Sequence, residues 1–268
     1  MDPQKKIADI LIAWGEDILH QPRKRFDFTR ATTPGLSDRE RRQREAANDL
    51  LNDIETYPHI FVLGALMARQ YDIAKCWLIP YRFIKDNHLG TFSFETLRGV
   101  SSESIADWMS NPPKHRFHRQ MGEIFYAGIQ KIDQDYAGDA AQIWRGNPSA
   151  DTVKQRFQDF KGAGSKIANM STHILVHRFK VPLSDLSAID MPVDTHVRRV
   201  FRRLELIPTG LSKAAEKDAI IAAARRYHPA YPAVFDRPAW QTGRWWCHEH
   251  HPECGVCKLR TVCPTAIA

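Results

Sequence analysis

The cysteines constrain this chain more than any other feature of its sequence. Four of the five lie in one short segment with the spacing Cys247-x6-Cys254-x2-Cys257-x5-Cys263, and the fifth is the distant Cys76. Thiolates in this number bind zinc or an iron–sulfur cluster. Structural zinc sites usually combine two short-spaced ligand pairs across a longer loop. Gaps of six, two and five residues therefore favour one [4Fe–4S] cluster with four cysteine ligands.

Zinc stays the alternative, because the nearby His248, His250 and His251 are also available as ligands. Disulfides are a poorer interpretation. The N-terminal segment lacks the long apolar stretch of a secretory signal, and the longest apolar run, Ile60 to Ala68, is too short to cross a bilayer. We therefore expect an intracellular protein with reduced thiols, either cytoplasmic or, in a eukaryote, nuclear.

The charge balance suits a polyanionic partner. The 268 residues include 38 Lys and Arg against 31 Asp and Glu, which gives a net charge of +7. Nucleic acid is the first candidate partner and an anionic membrane surface is the second. The length fits one large domain or two small ones.

Helical periodicity recurs along the chain, whereas strand signals are weak throughout. In the segment 193–206 the apolar residues Val197, Val200, Phe201 and Leu204 recur at helical spacing, and arginines occupy the other side. Segments 152–160, 165–179 and 216–227 also predict helices, and Pro- and Gly-containing breakers separate them. The sequence therefore predicts an all-α protein.

One segment differs in composition. Residues 23–44 carry eight basic residues and few apolar ones. This pattern fits a DNA-facing arm, and it equally fits a solvated loop that leads into a charged helix.

The cysteine spacing resembles the iron–sulfur loop of the endonuclease III and adenine glycosylase group of DNA repair enzymes, within the helix-hairpin-helix superfamily. An enzyme of this group carries a helix-hairpin-helix and a catalytic aspartate upstream of the loop. Both have counterparts here, in the right order, and the resemblance covers roughly residues 55 to 264.

The segment from Phe157 to Val176 resembles the helix-hairpin-helix. We expect a first helix that ends near Phe160 and a second that begins about Ser165. Gly162 and Gly164 are expected to provide the turn through positive φ angles. The free N–H groups and positive dipole of the second helix then form a docking site for a DNA phosphate.

Two residues match the catalytic positions of the resembled group. Lys166, in the first turn of the second hairpin helix, matches the lysine that forms a Schiff base with the sugar C1′ in the bifunctional enzymes. A positive helix end and a desolvated site are expected to lower the pKa of its amine. Asp194 matches the catalytic aspartate, and its sequence position also predicts an N-cap for the arginine-rich helix.

The segment 61–77 resembles the helix that lines the base pocket. Asp72 falls where the endonuclease III group has an acidic residue, and Gly64 falls where adenine glycosylases have their catalytic glutamate. Arg69 stands where a glutamine that fills the gap in DNA is usual, and Gln70 is adjacent. The missing glutamate, together with Lys166, argues against adenine excision.

The resemblance implies two helical domains with the active site in a cleft between them. Residues 56–182 would form a helical barrel with the hairpin, and residues 1–55 with 183–268 would form the domain of the cluster. The implied partner is double-stranded DNA with an altered base or an abasic site, and Arg198 and Arg199 are further candidate DNA contacts. We expect a monomer without membrane contact.

The implied activity is that of a DNA glycosylase with AP lyase activity, with an oxidised pyrimidine as the default substrate. A glycosylase for another altered or mismatched base is the nearest alternative. A non-catalytic iron–sulfur DNA-binding protein and an electron-transfer protein are the other two, but electron transfer gives no reason for Lys166 and Asp194.

Overall fold

The computed structural model describes residues 2–267, and these residues fold into α-helices joined by loops. The β pairing among them is one isolated bridge between Ser110 and Pro113. The predicted all-α fold is confirmed. The helices are α1 (Pro3–His20), α2 (Asp38–Asn52), α3 (Pro58–Leu66), α4 (Ile73–Asp86), α5 (Glu95–Arg98), α6 (Ser102–Ser110), α7 (His118–Tyr136), α8 (Ala150–Gln158), α9 (Ser165–His177), α10 (Thr195–Arg203), α11 (Lys213–Tyr227), α12 (Asp236–Trp245) and α13 (Pro264–Ile267).

The helices that the sequence predicted after residue 150 are all present. They correspond to α8, α9, α10 and α11. Short 3-10 helices lie at Ala140–Ile143, Pro232–Phe235 and Cys254–Val256. In the part of the chain that the structure describes, no helix combines the length and the apolar character needed to cross a membrane.

The chain divides into two compact units. Unit 1 contains residues 2–22, 149–151 and 183–267, and unit 2 contains residues 23–148 and 152–182. Residues 23–55, which the sequence assigned to the cluster domain, therefore lie in unit 2. Unit 2 ends at Pro182, and unit 1 resumes at Leu183.

Unit 2 is built around α3, whose nine residues are all buried. A helix that is apolar all round must be covered on every side, and α2, α4, α7 and α9 pack against it. Phe61 of α3 stacks on Trp77 with ring centroids 5.6 Å apart. This core explains the position of the residues after 22, because the buried Phe28 packs against both rings.

The basic segment 23–44 consists of a loop, residues 23–37, and the start of the charged helix α2. Ser37 and Glu40 form a capping box at the start of that helix. The loop is fixed from inside by Asn48, which donates to Asp27 Oδ1 over 2.6 Å and accepts from the Thr29 N–H over 3.1 Å. Hydrogen bonds of this kind satisfy buried backbone groups that a loop leaves unpaired.

Unit 1 is organised by α10 and α12. Val197, Val200 and Phe201 are buried on the apolar face of α10, and Phe201 meets Phe235 with ring centroids 6.1 Å apart. The helix α1 packs against α12 and the 3-10 helix Pro232–Phe235. Gly15 permits this approach, because a Cβ at that position would lie 2.2 Å from the carbonyl oxygen of Val234.

Candidate functional site

The predicted hairpin is present in unit 2, and its turn depends on one glycine. Gly162 has a φ of 82°, in the left-handed region that favours glycine. A Cβ at Gly162 would lie 2.5 Å from Cδ1 of Ile124, so the turn also packs closely on α7. The N–H of Ala163 donates to the carbonyl of Phe160 over 3.0 Å and closes the turn.

Gly164 does not have the positive φ that the sequence predicted. Its φ of −81° and ψ of 179° are extended, and no heavy atom lies within 4 Å of the position of a Cβ. Gly164 is instead the N-cap of α9, without a side-chain hydrogen bond. The expectation that both glycines turn the chain through positive φ is therefore wrong for Gly164, because one left-handed residue is enough to reverse the direction here.

The first turn of α9 presents its backbone N–H groups to solvent. The first hydrogen bond of the helix runs from the N–H of Ala168 to the carbonyl of Gly164 over 3.1 Å. The N–H groups of Ser165, Lys166 and Ile167 therefore have no partner within the helix. Ser165 and Lys166 are exposed, while Ile167 is buried and anchors the turn. This arrangement can bind an anion.

Asp194 lies in unit 1 and is the N-cap of α10, as the sequence predicted. Its Oδ1 accepts a hydrogen bond from the N–H of Val197 over 2.9 Å. The residue is exposed, and among residues 2–267 no donor reaches its other carboxylate oxygen, Oδ2.

Lys166 and Asp194 belong to different units. The structure places each one within its own unit, at the first turn of a helix. Their meeting in one active site stays a prediction.

The arginines of α10 make hydrogen bonds within unit 1. Arg198 donates to Glu216 over 3.3 Å and to the carbonyl of Lys213. Arg199 donates to the carbonyls of Cys247 and Gly243 over 2.5 and 2.8 Å and contacts His196 Nδ1 at 3.0 Å. Both guanidinium groups, which the sequence offered as DNA contacts, therefore have structural partners.

Arg203 makes contacts that the sequence did not predict. Its Nη1 lies 3.1 Å from the Sγ of Cys247 and 2.7 Å from the carbonyl oxygen of His248, and its Nη2 donates to the carbonyl of Glu249. Arg203 thus ties the start of the cysteine segment to α10. No sequence signal marks it, since it is one of four arginines on a single polar face.

The four clustered cysteines line one small cavity. Its volume is ≈ 30 Å³, and its apolar walls include Val200, Leu204, Trp246 and Leu259. The cysteines Cys247, Cys254, Cys257 and Cys263 are free thiols. Burial raises the pKa of Cys257, and the other three cysteines contribute in the same direction.

A donor set of four thiols around one apolar cavity has the chemistry that an iron–sulfur cluster requires. Within residues 2–267, no group of three or more His, Cys, Asp or Glu side chains has the geometry to hold a metal ion. The cluster and its loop therefore stay predictions. The fifth cysteine, Cys76, is buried in α4, and desolvation raises its pKa to about 11.

The segment 61–77 forms the end of α3, a loop and the start of α4. Gly64 is buried, and a Cβ there would lie 2.6 Å from the ring of Trp77, so this position has no room for a larger side chain. Asp72 is the exposed N-cap of α4, and its Oδ1 accepts from the N–H groups of Ala74 and Lys75. A role of Asp72 in a base pocket stays a prediction.

Arg69 and Gln70 lie in the same loop and differ in exposure. Gln70 is exposed and has a φ of 46°, whereas Arg69 is partly buried. Gln70 is therefore the residue at the tip of the turn.

One solved structure of a DNA glycosylase shares the fold of this chain. A thermostable thymine-DNA glycosylase matches with a TM-score of 0.53 at 13% identity, over 99% of this chain and 99% of its own. The chain has the fold of that glycosylase. This finding confirms, at the level of the fold, the resemblance that the cysteine spacing predicted.

Two endonuclease III structures also match. A trapped endonuclease III–DNA covalent intermediate, in its estranged-adenine complex, has a TM-score of 0.46 at 17% identity and covers 87% of this chain and 98% of its own. A non-covalent endonuclease III–DNA complex has a TM-score of 0.46 at 16% identity, with 87% and 97% covered. No protein-family model matches the chain. No curated protein matches it either.

Proposed function

We propose that this protein is a DNA glycosylase with AP lyase activity. The observation that carries the proposal is the exposed Lys166 in the first turn of α9, directly after the hairpin turn, in a chain with the fold of a thymine-DNA glycosylase. The net charge of +7 supports duplex DNA as the substrate. The nucleotide must leave the base stack to reach an amine on the protein surface.

The hairpin would hold the DNA backbone. A phosphate oxygen at the start of α9 would accept hydrogen bonds from the N–H groups of Ser165 and Lys166, with the helix dipole adding to the attraction. Such contacts position the strand without reading its sequence. They would fix the sugar of a flipped nucleotide close to the side chain of Lys166.

The lysine would then carry the covalent step. The lone pair of its neutral amine forms a bond to C1′, and the bond from C1′ to the base breaks with its electron pair going to the departing base. A proton passes from the attached nitrogen to the ring oxygen as the bond between C1′ and that oxygen breaks, which gives the protonated Schiff base. Removal of a C2′ proton then expels the 3′ phosphate by β-elimination and cuts the strand.

Asp194 would stabilise the positive charge that develops on the sugar as the base departs. The hydrogen bond from the Val197 N–H holds this carboxylate at the start of α10. Lys166 is exposed in the protein, so its amine is accessible to bound DNA.

Cys247, Cys254, Cys257 and Cys263 would hold a [4Fe–4S] cluster. When bound, the cluster would cross-link the C-terminal segment of unit 1. It would thereby fix the shape of the loop that carries Lys258 and Arg260. The residues to which the steps described above give a chemical role are Lys166 and Asp194.

Two bases are candidates for excision. An oxidised pyrimidine follows from the resemblance to endonuclease III. A thymine in a mismatch is the second candidate, and the fold shared with a thymine-DNA glycosylase favours it. A panel of duplexes with one altered or mismatched base each separates the two.

Borohydride trapping on an abasic duplex tests the proposed chemistry. We expect a covalent protein–DNA adduct with the wild type and none with Lys166→Gln. Lys161→Gln is the matched control, because Lys161 is an exposed lysine of the same turn that pairs with Glu123 over 2.9 Å. Trapping that persists in Lys166→Gln would refute the assignment of the nucleophile, and trapping by neither variant nor wild type would refute the lyase activity.

A further inference from the structure

Two loops of unit 2 meet at a buried histidine. The first loop, residues 67–72, joins α3 to α4, and the second, residues 111–117, joins α6 to α7. His115 of the second loop is only 1% exposed. Its ring lies 4.7 Å from the ring of Tyr71 in the first loop and 6.0 Å from that of Phe117, measured between centroids.

The hydrogen bonds of His115 indicate the form of its ring. Nδ1 accepts from the N–H of Phe117 over 3.0 Å, so the neutral ring carries its proton on Nε2. Burial lowers the pKa of His115, and the backbones of Met67 and Arg69 raise it by less. The ring packs against Tyr71, which follows the Arg69–Gln70 turn directly. Nε2 is buried, and none of the described residues completes a hydrogen bond to it.

The turn above His115 is tight and strained. The N–H of Arg69 donates to the carbonyl of Met67 over 2.8 Å, and the exposed Gln70 has a φ of 46°. A residue with a Cβ rarely adopts this region, and such strain persists only where the surroundings impose it. Here the surroundings are His115 from the second loop and the buried Cys76 of α4, which interacts with the backbone of Arg69.

We propose that His115 is a positioning residue for DNA opening. It holds the Arg69–Gln70 turn in its strained form, so that Gln70 is presented ready to occupy the gap left by a flipped nucleotide. The inference rests on the proposed function and adds a residue from a different loop. A turn that is already ordered loses less conformational entropy when it enters DNA.

Loss of His115 should impair strand cleavage of a duplex but not of a single strand. An abasic site in a duplex leaves a gap that the turn must fill, whereas an abasic site in a single strand leaves none. Loss of the histidine should therefore slow strand cleavage in the duplex and spare the single strand. A general loss of folded protein would slow both reactions equally.

Two substitutions separate the two contacts of His115. His115→Asn keeps an acceptor for the Phe117 N–H but removes the ring from Tyr71. His115→Phe keeps a ring of similar size but removes the acceptor. We expect His115→Asn to lower kcat/KM on the duplex about tenfold and on the single strand less than about twofold. We expect His115→Phe to restore most of the duplex activity, because the ring supports the turn.

His59→Asn is the matched control. His59 is also buried, at 2% exposure, in the same unit, and its Nε2 contacts the carbonyl oxygen of Phe92 at 2.9 Å. It lies at the opposite end of α3 from the turn, about 10 Å away along the helix. This variant should lose stability but keep the wild-type ratio of duplex to single-strand cleavage.

Tyr71→Leu tests the same contact from the other loop. Tyr71 is only partly buried, so this variant should fold even if His115→Asn does not. We expect the same selective loss on the duplex. An unchanged ratio in Tyr71→Leu and in any folded His115→Asn would overturn the inference while leaving the proposed function intact. A wild type that cleaves neither substrate would instead overturn the proposed function.

Discussion

The two glycines of the hairpin turn offer a sharp test of the structure, because they lie two residues apart and differ in conformation. Gly162 has a φ of 82° and is packed on Ile124, whereas Gly164 has a φ of −81° and open space around the position of a Cβ. The same substitution, glycine to alanine, should therefore have very different effects at the two positions.

The expected cost at Gly162 has two parts. An alanine in the left-handed region costs about 1–2 kcal/mol. Its Cβ would also lie 2.5 Å from Ile124 Cδ1 and 3.0 Å from Cγ1, and overpacking of a buried side chain costs about 1–3 kcal/mol. We expect Gly162→Ala to lower the free energy of unfolding by about 2–4 kcal/mol.

At Gly164 the two effects of an alanine on stability should nearly cancel. Alanine reduces the conformational entropy of the unfolded chain and stabilises a compatible position by about 0.4–1 kcal/mol. It is a poorer N-cap than glycine by a few tenths of a kcal/mol or somewhat more. We expect Gly164→Ala to remain within about 1 kcal/mol of the wild type.

Urea unfolding followed by circular dichroism measures both variants under the same conditions. The midpoint of Gly162→Ala should fall clearly, and that of Gly164→Ala should hardly move. Duplex binding at low salt should survive in Gly164→Ala, because the N–H groups at the start of α9 are unchanged. Equal losses at the two positions, or a larger loss at Gly164, would refute the account of the turn.

Three further predictions concern the cysteines, a buried histidine and α10. Elemental analysis of the purified protein should find about four iron atoms per chain. Cys257→Ser should lose the iron, and Cys76→Ser should retain it. One zinc ion per chain without iron would contradict the cluster. Burial lowers the pKa of His59 to about 4 from its ordinary 6.5. As the pH falls, the imidazole of His59 is therefore protonated in the unfolded chain before it is protonated in the folded one. The free energy of unfolding should fall by up to about 3 kcal/mol as the pH drops from 6.5 to 4. If thermal unfolding showed that a His59→Asn variant loses the same stability at acid pH, His59 would not be the cause of the loss. Arg199→Gln should lower the melting temperature but leave the salt dependence of duplex affinity unchanged, since the Arg199 guanidinium binds protein carbonyls. If the slope of log affinity against log salt concentration became smaller by about 1, Arg199 would instead contact a phosphate.

Features that depend on neighbours along the chain followed from the sequence. The helices α8 to α11 are recognisable because apolar residues recur with the helical period. Asp194 was predictable as an N-cap, because a carboxylate before a helical pattern can accept from the N–H three residues later, as it does from Val197. Gly162 was predictable as a turn residue, because few other residues adopt its φ at low cost.

The tertiary structure decided the features that depend on residues far apart in the chain. The arginines of α10 look alike in the sequence, yet Arg199 contacts the carbonyl of Cys247 and Arg198 contacts Glu216. The proposed role of His115 depends on the packing of its ring against Tyr71, which lies 44 positions earlier in the chain. Periodicity fixes which face of a helix is apolar, but the partner of a polar side chain depends on which elements pack together, and that is a property of the folded core.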